Sequence, residues 1–152
     1  MAKQTPYTDM VELVVPCKPE YVRSVRMLAG DIAEAIPLPA SSIDELKVAV
    51  SEAVSNVVRH AYRDACSALP VSIIFQRSSN KLVVEISDQG IGFDPPSEGQ
   101  VPVPDLTKDG GMGITLIKEL MDKVVYWSQP GLGTRIRMSK TIGGNGNCDY
   151  KR

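Results

Sequence analysis

The chain has 152 residues, of which 43% are hydrophobic and 23% are charged, and its formal net charge is -1 at pH 7. This length corresponds to one ordinary domain with enough apolar residues to bury a core. The balanced charge excludes a general attraction to nucleic acid or to anionic membranes. Residues 1–9 lack the basic and apolar regions of a signal peptide, and no apolar run is long enough to span a bilayer, so we expect a cytoplasmic protein.

The three cysteines, Cys17, Cys66 and Cys148, are far apart in the sequence. Their odd number and wide spacing fit neither a disulfide framework nor a zinc site. We therefore expect reduced thiols and no metal site built from side chains alone.

The first predicted elements are a strand and a helix. Residues 10–15 are rich in β-branched side chains and end at Pro16, which predicts a strand. Pro19 and Glu20 then have the positions expected in the first turn of a helix. Its apolar stripe consists of Tyr21, Val22, Val25, Leu28, Ala29 and Ile32. Arg23 and Arg26 fall on the outer side, where they are either solvated or part of a partner surface.

A second, longer helix is predicted from Ser42 to about Tyr62. Ser42 and Glu45 have the spacing of a capping box, which predicts the helix start. The buried stripe consists of Leu46, Val50, Ala53 and Val57.

Three polar residues of this helix, Glu52, Asn56 and His60, follow one another at intervals of four. Their row lies roughly 90° from the apolar stripe, because successive residues of a helix turn by about 100°. This position predicts the wall of a ligand cleft. A helix with an ordinary polar flank is the alternative for this element taken alone.

The second half of the chain alternates strands with one helix. Residues 71–77 and 81–87 predict an antiparallel hairpin, residues 113–121 a helix, and residues 124–127 and 134–140 two further strands. The order β-α-α-β-β-α-β-β predicts an α+β two-layer sandwich, with a largely antiparallel mixed sheet and the helices on one face. We expect a single domain over residues 1–142. Residues 143–152 have too little apolar content to pack and are predicted to be a disordered tail.

Three glycine clusters occupy the predicted turns of this half. The first follows a strand, the second opens a helix, and the third opens the last strand. An aspartate at a strand end followed by glycines can accept a hydrogen bond from an exocyclic amine while a flat ring approaches the backbone. Glycines at a helix start expose N–H groups to an anion. The clusters are Asp88-x-Gly90-x-Gly92, Gly110-Gly111-Met112-Gly113 and Gly131-x-Gly133-Thr134.

Each cluster alone is explained by an ordinary turn or helix cap. In combination with Glu52 and Asn56, their order resembles the asparagine box, the glycine boxes and the final box of the GHKL ATPases, the superfamily of gyrase B, MutL and the histidine kinases. Residues 20–22, 48–53 and 60–62 resemble more closely the bacterial anti-sigma factor serine kinases of the RsbW and SpoIIAB type. The resemblance covers about residues 10–140 and implies the Bergerat fold of that superfamily.

The resemblance implies ATP and Mg²⁺ as cofactors and assigns a role to each motif residue. Asn56 would hold Mg²⁺ through its side-chain oxygen, Asp88 would bind the adenine amine, and Glu52 would be the general base for a serine hydroxyl. His60 would line the phosphate side, with a packing role as the alternative. The remaining implied nucleotide contacts are Gly90, Gly92, Gly110, Gly111, Met112, Gly113 and Thr134.

The resemblance also implies partners: a sigma factor that the protein inhibits, a STAS-domain anti-anti-sigma protein that it phosphorylates, and a second copy in a homodimer. No direct contact with nucleic acid or membrane is expected. The alternative is a regulatory module that binds nucleotide and docks on a phosphatase or another enzyme without phosphotransfer. A sensor histidine kinase is disfavoured, because His60 is the only histidine and no phosphoacceptor helix precedes it.

The longest irregular segment, residues 94–109, joins two of the glycine clusters. Long loops in compact domains are commonly functional, so we expect a nucleotide-sensitive lid. The sequence of this segment does not resemble the family beyond its ends. The resemblance therefore assigns no nucleotide contacts to residues of the lid.

Overall fold

A computed structural model of the protein describes residues 7–60, 69–90 and 111–143. Within these ranges, eight elements follow one another in the predicted order β-α-α-β-β-α-β-β. They are β1 (Asp9–Pro16), α1 (Glu20–Glu34), α2 (Ala40–His60), β2 (Pro70–Arg77), β3 (Lys81–Ser87), α3 (Gly111–Leu120), β4 (Lys123–Gln129) and β5 (Gly133–Thr141). The α+β class is confirmed.

The five strands of the described part of the chain form one sheet with the order β1-β2-β3-β5-β4, and each neighbouring pair among them is antiparallel. Alternation along β3 directs Leu82, Val84 and Ile86 into the core. Val83 is also only 1% exposed, although the alternation places it on the opposite face. On that face its neighbours in the register are Gln76 of β2 and Ser139 of β5.

All three helices contribute to the same hydrophobic core as the inner face of the sheet. The predicted stripe of α2 is confirmed, since Leu46, Val50, Ala53 and Val57 are all buried. In α1, Val25 and Ala29 are fully buried and the rest of the predicted stripe packs against them. The opposite face of the sheet bears exposed apolar side chains on both edge strands, among them Met10, Val14 and Trp127.

The predicted capping box of α2 is wrong. The helix begins at Ala40, so Ser42 and Glu45 lie inside it, and the Ile43 N–H donates to the carbonyl of Pro39 at 3.1 Å. Pro39 precedes the helix, where a fixed φ favours its start. Glu45 does not turn back to the helix start but pairs with a distant lysine.

That lysine, Lys140 of β5, is almost completely buried on the inner face of the sheet. Its ammonium group contacts the carboxylate of Glu45 and lies 4.0 Å from that of Asp122, which itself accepts a hydrogen bond from the Thr141 N–H. A buried ammonium group needs such partners, because its desolvation is costly. The ion cluster of Lys140, Glu45 and Asp122 thus connects the first part of α2 to the last strand.

We expect Lys140→Met to lower the free energy of unfolding by about 1 to 2 kcal/mol. The methionine keeps the apolar stem but leaves two carboxylates without their cation. The loss stays below that of a fully buried pair because Glu45 and Asp122 are 39% and 48% exposed and regain water. Urea denaturation measures the loss. Lys123→Met, which changes an exposed lysine, is the control, and equal losses in both variants would contradict the role of the cluster.

Some predictions fall outside the described residues: the lid at 94–109, the tail at 144–152, Cys66, Cys148 and the end of α2 beyond residue 60. These remain predictions. Within the described ranges, no helix is long and apolar enough to cross a membrane.

Candidate functional site

The first half of the site lies where α2 meets the start of α3. A Cβ atom added to Gly113 would lie 3.0 Å from Glu52 Oε2 and 3.1 to 3.2 Å from the side-chain amide atoms of Asn56. Only a residue without a side chain allows this approach without displacing the two polar groups. A helix start carries N–H groups without partners in the helix, which favour an anion. The structure therefore brings a carboxylate, an amide and a helix N-terminus together.

A residue that the sequence reasoning missed, Arg59, also reaches this place. Its Nη2 atom lies 3.5 Å from Asn56 Oδ1 and 3.9 Å from Glu52 Oε2, and its Nε donates to the carbonyl of Ser55 at 3.3 Å. The sequence contained a signal for Arg59, which lies three residues after Asn56 and seven after Glu52. Residues at these spacings share one face of a helix.

The second half of the site is built around Asp88, which directly follows β3 and is 8% exposed. Its Oδ1 accepts a hydrogen bond from the Gly90 N–H at 2.8 Å, and its own N–H donates to the carbonyl of Thr134 at 2.9 Å. Burial raises the pKa of the Asp88 carboxyl, and the backbone N–H groups of Gly90 and Thr134 partly oppose that rise. The carboxyl group is thus held in a fixed orientation by β3 and β5.

Gly133 makes the approach of β5 to Asp88 possible. Its φ is +85°, and an added Cβ atom would lie only 2.1 Å from the carbonyl oxygen of Asp88. Both the backbone conformation and the space require glycine. The glycine of the third cluster therefore positions the aspartate of the first.

Two side chains of β4 complete the surroundings of Asp88. Ser128 lies opposite Thr134 in the sheet, and their hydroxyl oxygens are 3.0 Å apart. Tyr126 has a buried hydroxyl without a hydrogen-bond partner among the described residues. These residues and Asp88 line a cavity of about 340 Å³. Sequence reasoning missed Ser128 and Tyr126, because only the register of β4 on β5 brings them to the aspartate.

Cys17 is a buried residue that packs beside α2. Its thiol lies 3.8 Å from the carbonyl oxygen of Val57, the residue after Asn56. Burial raises the pKa of the Cys17 thiol, and the nearby Asp88 carboxylate adds to the effect. Cys17 is a free thiol, as expected.

The structure thus gathers most of the predicted site residues into two groups. Glu52, Asn56 and Gly113 form one group, and Asp88, Gly90 and Thr134 form the other. His60 is the last residue of α2, and Gly111 and Met112 are the first two residues of α3. Gly92 and Gly110 lie outside the described residues.

Comparisons with known proteins show the family of the chain. Residues 15–140 match the model of the histidine kinase-like ATPase domain. The serine-protein kinase RsbW of Staphylococcus aureus is 33% identical over 141 residues, and that of Oceanobacillus iheyensis is 39% identical over 142 residues. Both alignments cover 88% of this chain and 87% of the relative.

Solved structures show the same fold. The crystal structure of the RsbU and RsbW domains of a Mycobacterium tuberculosis protein has a TM-score of 0.66 and 18% identity, with 89% of this chain and 33% of that longer chain covered. A histidine kinase domain from Erythrobacter litoralis has a TM-score of 0.55 and 19% identity, with 84% of this chain and 62% of that chain covered.

The match over residues 15–140 shows that the chain carries an ATPase domain of the histidine kinase-like class. Within that class, the chain belongs to the family of the RsbW serine-protein kinases.

Proposed function

We propose that this protein is a cytoplasmic anti-sigma factor that uses Mg·ATP to phosphorylate a serine of a STAS-domain anti-anti-sigma protein. The observation that supports it best is the contact of Glu52 and Asn56 with Gly113 at the start of α3. This contact places a proton acceptor and a hard oxygen ligand beside a helix start suited to phosphate. The kinase activity of the RsbW relatives also supports it.

Asp88 is the residue proposed to recognise the base. Its buried carboxylate retains acceptor capacity beyond the Gly90 hydrogen bond, since an ionised carboxylate offers about four acceptor sites. The exocyclic amine of adenine matches such an acceptor. The Thr134 hydroxyl and the Ser128 hydroxyl beside it offer further polar contacts in the same cavity.

The side-chain oxygens of Asn56 and Glu52 are of the type that binds a divalent cation. The Arg59 guanidinium lies 3.5 Å from Asn56 Oδ1 and 3.9 Å from Glu52 Oε2, so the place already accepts positive charge. The described residues contain no group of three or more His, Cys, Asp or Glu side chains that could hold a metal. Asn56 would therefore share the cation with the phosphates. When bound, Mg²⁺ would neutralise charge on the phosphate oxygens.

Glu52 is the proposed general base. As a serine hydroxyl attacks the terminal phosphorus of ATP, Glu52 takes the hydroxyl proton, the new bond forms to the serine oxygen, and the bond to the ADP oxygen breaks. The Glu52 side chain is 33% exposed, so an incoming protein can reach it.

The partners are a sigma factor, the STAS-domain substrate and a second copy of the chain. Two exposed surfaces are available to them. One is the outer side of α1 with Arg23, Arg26 and the 52% exposed Met27. The other is the uncovered face of the sheet with Met10 and Trp127. Met10 and Trp127 lie on opposite edge strands of the sheet, so each edge offers an exposed apolar side chain for a protein contact.

The proposed function is tested by incubating the protein with γ-labelled ATP, Mg²⁺ and candidate STAS-domain proteins encoded in the same genome. We expect label on a serine of one candidate and inhibition of a sigma factor in a transcription assay. Nucleotide binding without label transfer to any of them would favour the regulatory module instead.

We expect Asn56→Ala to weaken Mg·ATP binding by roughly 10- to 100-fold or more. The alanine removes the only side-chain oxygen assigned to the cation, and the loss of a charge-assisted contact in a partly dry site costs roughly 1.5 to 3 kcal/mol or more. Titration calorimetry with Mg²⁺ present measures the effect. Ser55→Ala, one position away on the same helix, is the control. Wild-type affinity in Asn56→Ala would show that the cation is held elsewhere.

A further inference from the structure

Arg59 has contacts that neither the fold nor the proposed chemistry requires. Its side chain is 46% exposed and could extend into solvent. Its guanidinium instead lies 3.5 Å from Asn56 Oδ1, the proposed metal ligand, and 3.9 Å from Glu52 Oε2, the proposed general base. The three residues follow one another along one face of α2, since they occupy positions 52, 56 and 59. The place assigned to a divalent cation is therefore already held by a positive side chain.

We propose that Arg59 is a built-in substitute for the divalent cation: its guanidinium rests on Asn56 and Glu52 in the nucleotide-free protein and is displaced when Mg·nucleotide binds. This inference rests on the proposed function and extends it to a residue that sets how strongly the site depends on its metal.

The chemistry of the two cations explains the competition. An amide oxygen in contact with a guanidinium cannot at the same time bind Mg²⁺ closely, because two like charges would share one acceptor at short distance. An arginine suits a resting position of this kind, since it stays charged at every physiological pH and is less strongly hydrated than an ammonium group. It also offsets the negative charge of Glu52 beside the site that receives phosphates.

The contacts are also weak enough to be displaced. The 3.5 Å distance to Asn56 is at the long limit of a hydrogen bond, and the 3.9 Å distance to Glu52 is at the limit of an ion pair. Exposed pairs of this kind contribute little free energy. Arg59 therefore reduces the advantage of Mg·nucleotide over metal-free nucleotide by a modest factor without blocking the site.

The experiment compares nucleotide affinity with Mg²⁺ and with EDTA. Titration calorimetry with ADP gives both dissociation constants without any turnover. The dissociation constant in EDTA divided by the dissociation constant in Mg²⁺ measures how strongly binding depends on the metal. In Arg59→Gln we expect this ratio to rise roughly two- to fivefold over the wild type, the range that corresponds to an exposed ion pair. Arg59→Lys keeps the charge and should stay closer to the wild-type ratio.

The control is Lys123→Gln, which removes one positive charge at the end of β4 away from Asp88. We expect it to leave the ratio unchanged. An unchanged or lower ratio in Arg59→Gln, or an equal rise in Lys123→Gln, would overturn the inference while leaving the proposed function intact. A wild-type protein that binds no nucleotide would overturn both together.

Discussion

Glu52→Gln is expected to bind Mg·ATP with nearly the affinity of the wild type and to phosphorylate its protein substrate roughly 10² times more slowly or worse. The amide of glutamine has the size of the carboxylate and fits beside Gly113, where the available space is narrow. It cannot take the proton of the serine hydroxyl. Binding and chemistry should therefore separate in this variant.

Two measurements are needed for this prediction. Calorimetry gives the affinity for Mg·ADP, and single-turnover transfer of labelled phosphate gives the rate of the chemical step. Glu119→Gln, which changes an exposed carboxylate of α3, is the matched control and should transfer phosphate normally. If Glu52→Gln transfers phosphate at the wild-type rate, Glu52 has only a structural role and the regulatory module becomes the better interpretation.

The second large effect is expected from Gly133→Ala. Gly133 and Gly131 both have a positive φ, +85° and +79°, so alanine at either position costs about 1 to 2 kcal/mol in backbone strain. At Gly131 an added Cβ atom meets nothing within 4 Å, whereas at Gly133 it meets the Asp88 carbonyl oxygen at 2.1 Å. Gly133→Ala must therefore also move β5 away from Asp88, whereas Gly131→Ala need not.

The two alanine variants form a matched pair that isolates this contact. We expect Gly133→Ala to lose about 1 to 3 kcal/mol of unfolding free energy beyond the loss in Gly131→Ala, as in other overpacked sites. It should also lose nucleotide affinity, because the carboxyl group proposed to read the base moves with its backbone. Urea denaturation and calorimetry measure the two losses. Equal behaviour of both variants would mean that the backbone of Asp88 relaxes without consequence.

Local patterns in the sequence were sufficient for the order of the elements and for the core. The period of Leu46, Val50, Ala53 and Val57 depends only on helix geometry, and the structure buries all four. The start of α2 was predicted wrongly for the opposite reason. Ser42 and Glu45 have the local spacing of a cap, but Glu45 is engaged by Lys140, 95 residues away in the chain. A local motif cannot report a competing partner that only the folded chain brings near.

The same division applies to the candidate site. Glu52, Asn56 and the glycine clusters were identified by spacing and by resemblance, because each motif is contiguous in sequence. Ser128 and Tyr126 were missed, since their position beside Asp88 follows from the pairing of β4 with β5. Arg59 was different, because the helical spacing that placed Asn56 also placed Arg59 and could have been read from the same pattern.

The ion cluster at Lys140 has a mechanical consequence for the site. Helix α2 is one uninterrupted rod of 21 residues, held through Glu45 near its beginning and carrying Asn56 about 16 Å further along its axis. A slip of one residue would turn every side chain by about 100° around that axis and point Glu52 and Asn56 away from Gly113. The contact of Lys140 with Glu45 resists this rotation. The contact near the beginning of α2 therefore helps to keep Glu52 and Asn56, further along the helix, directed towards Gly113.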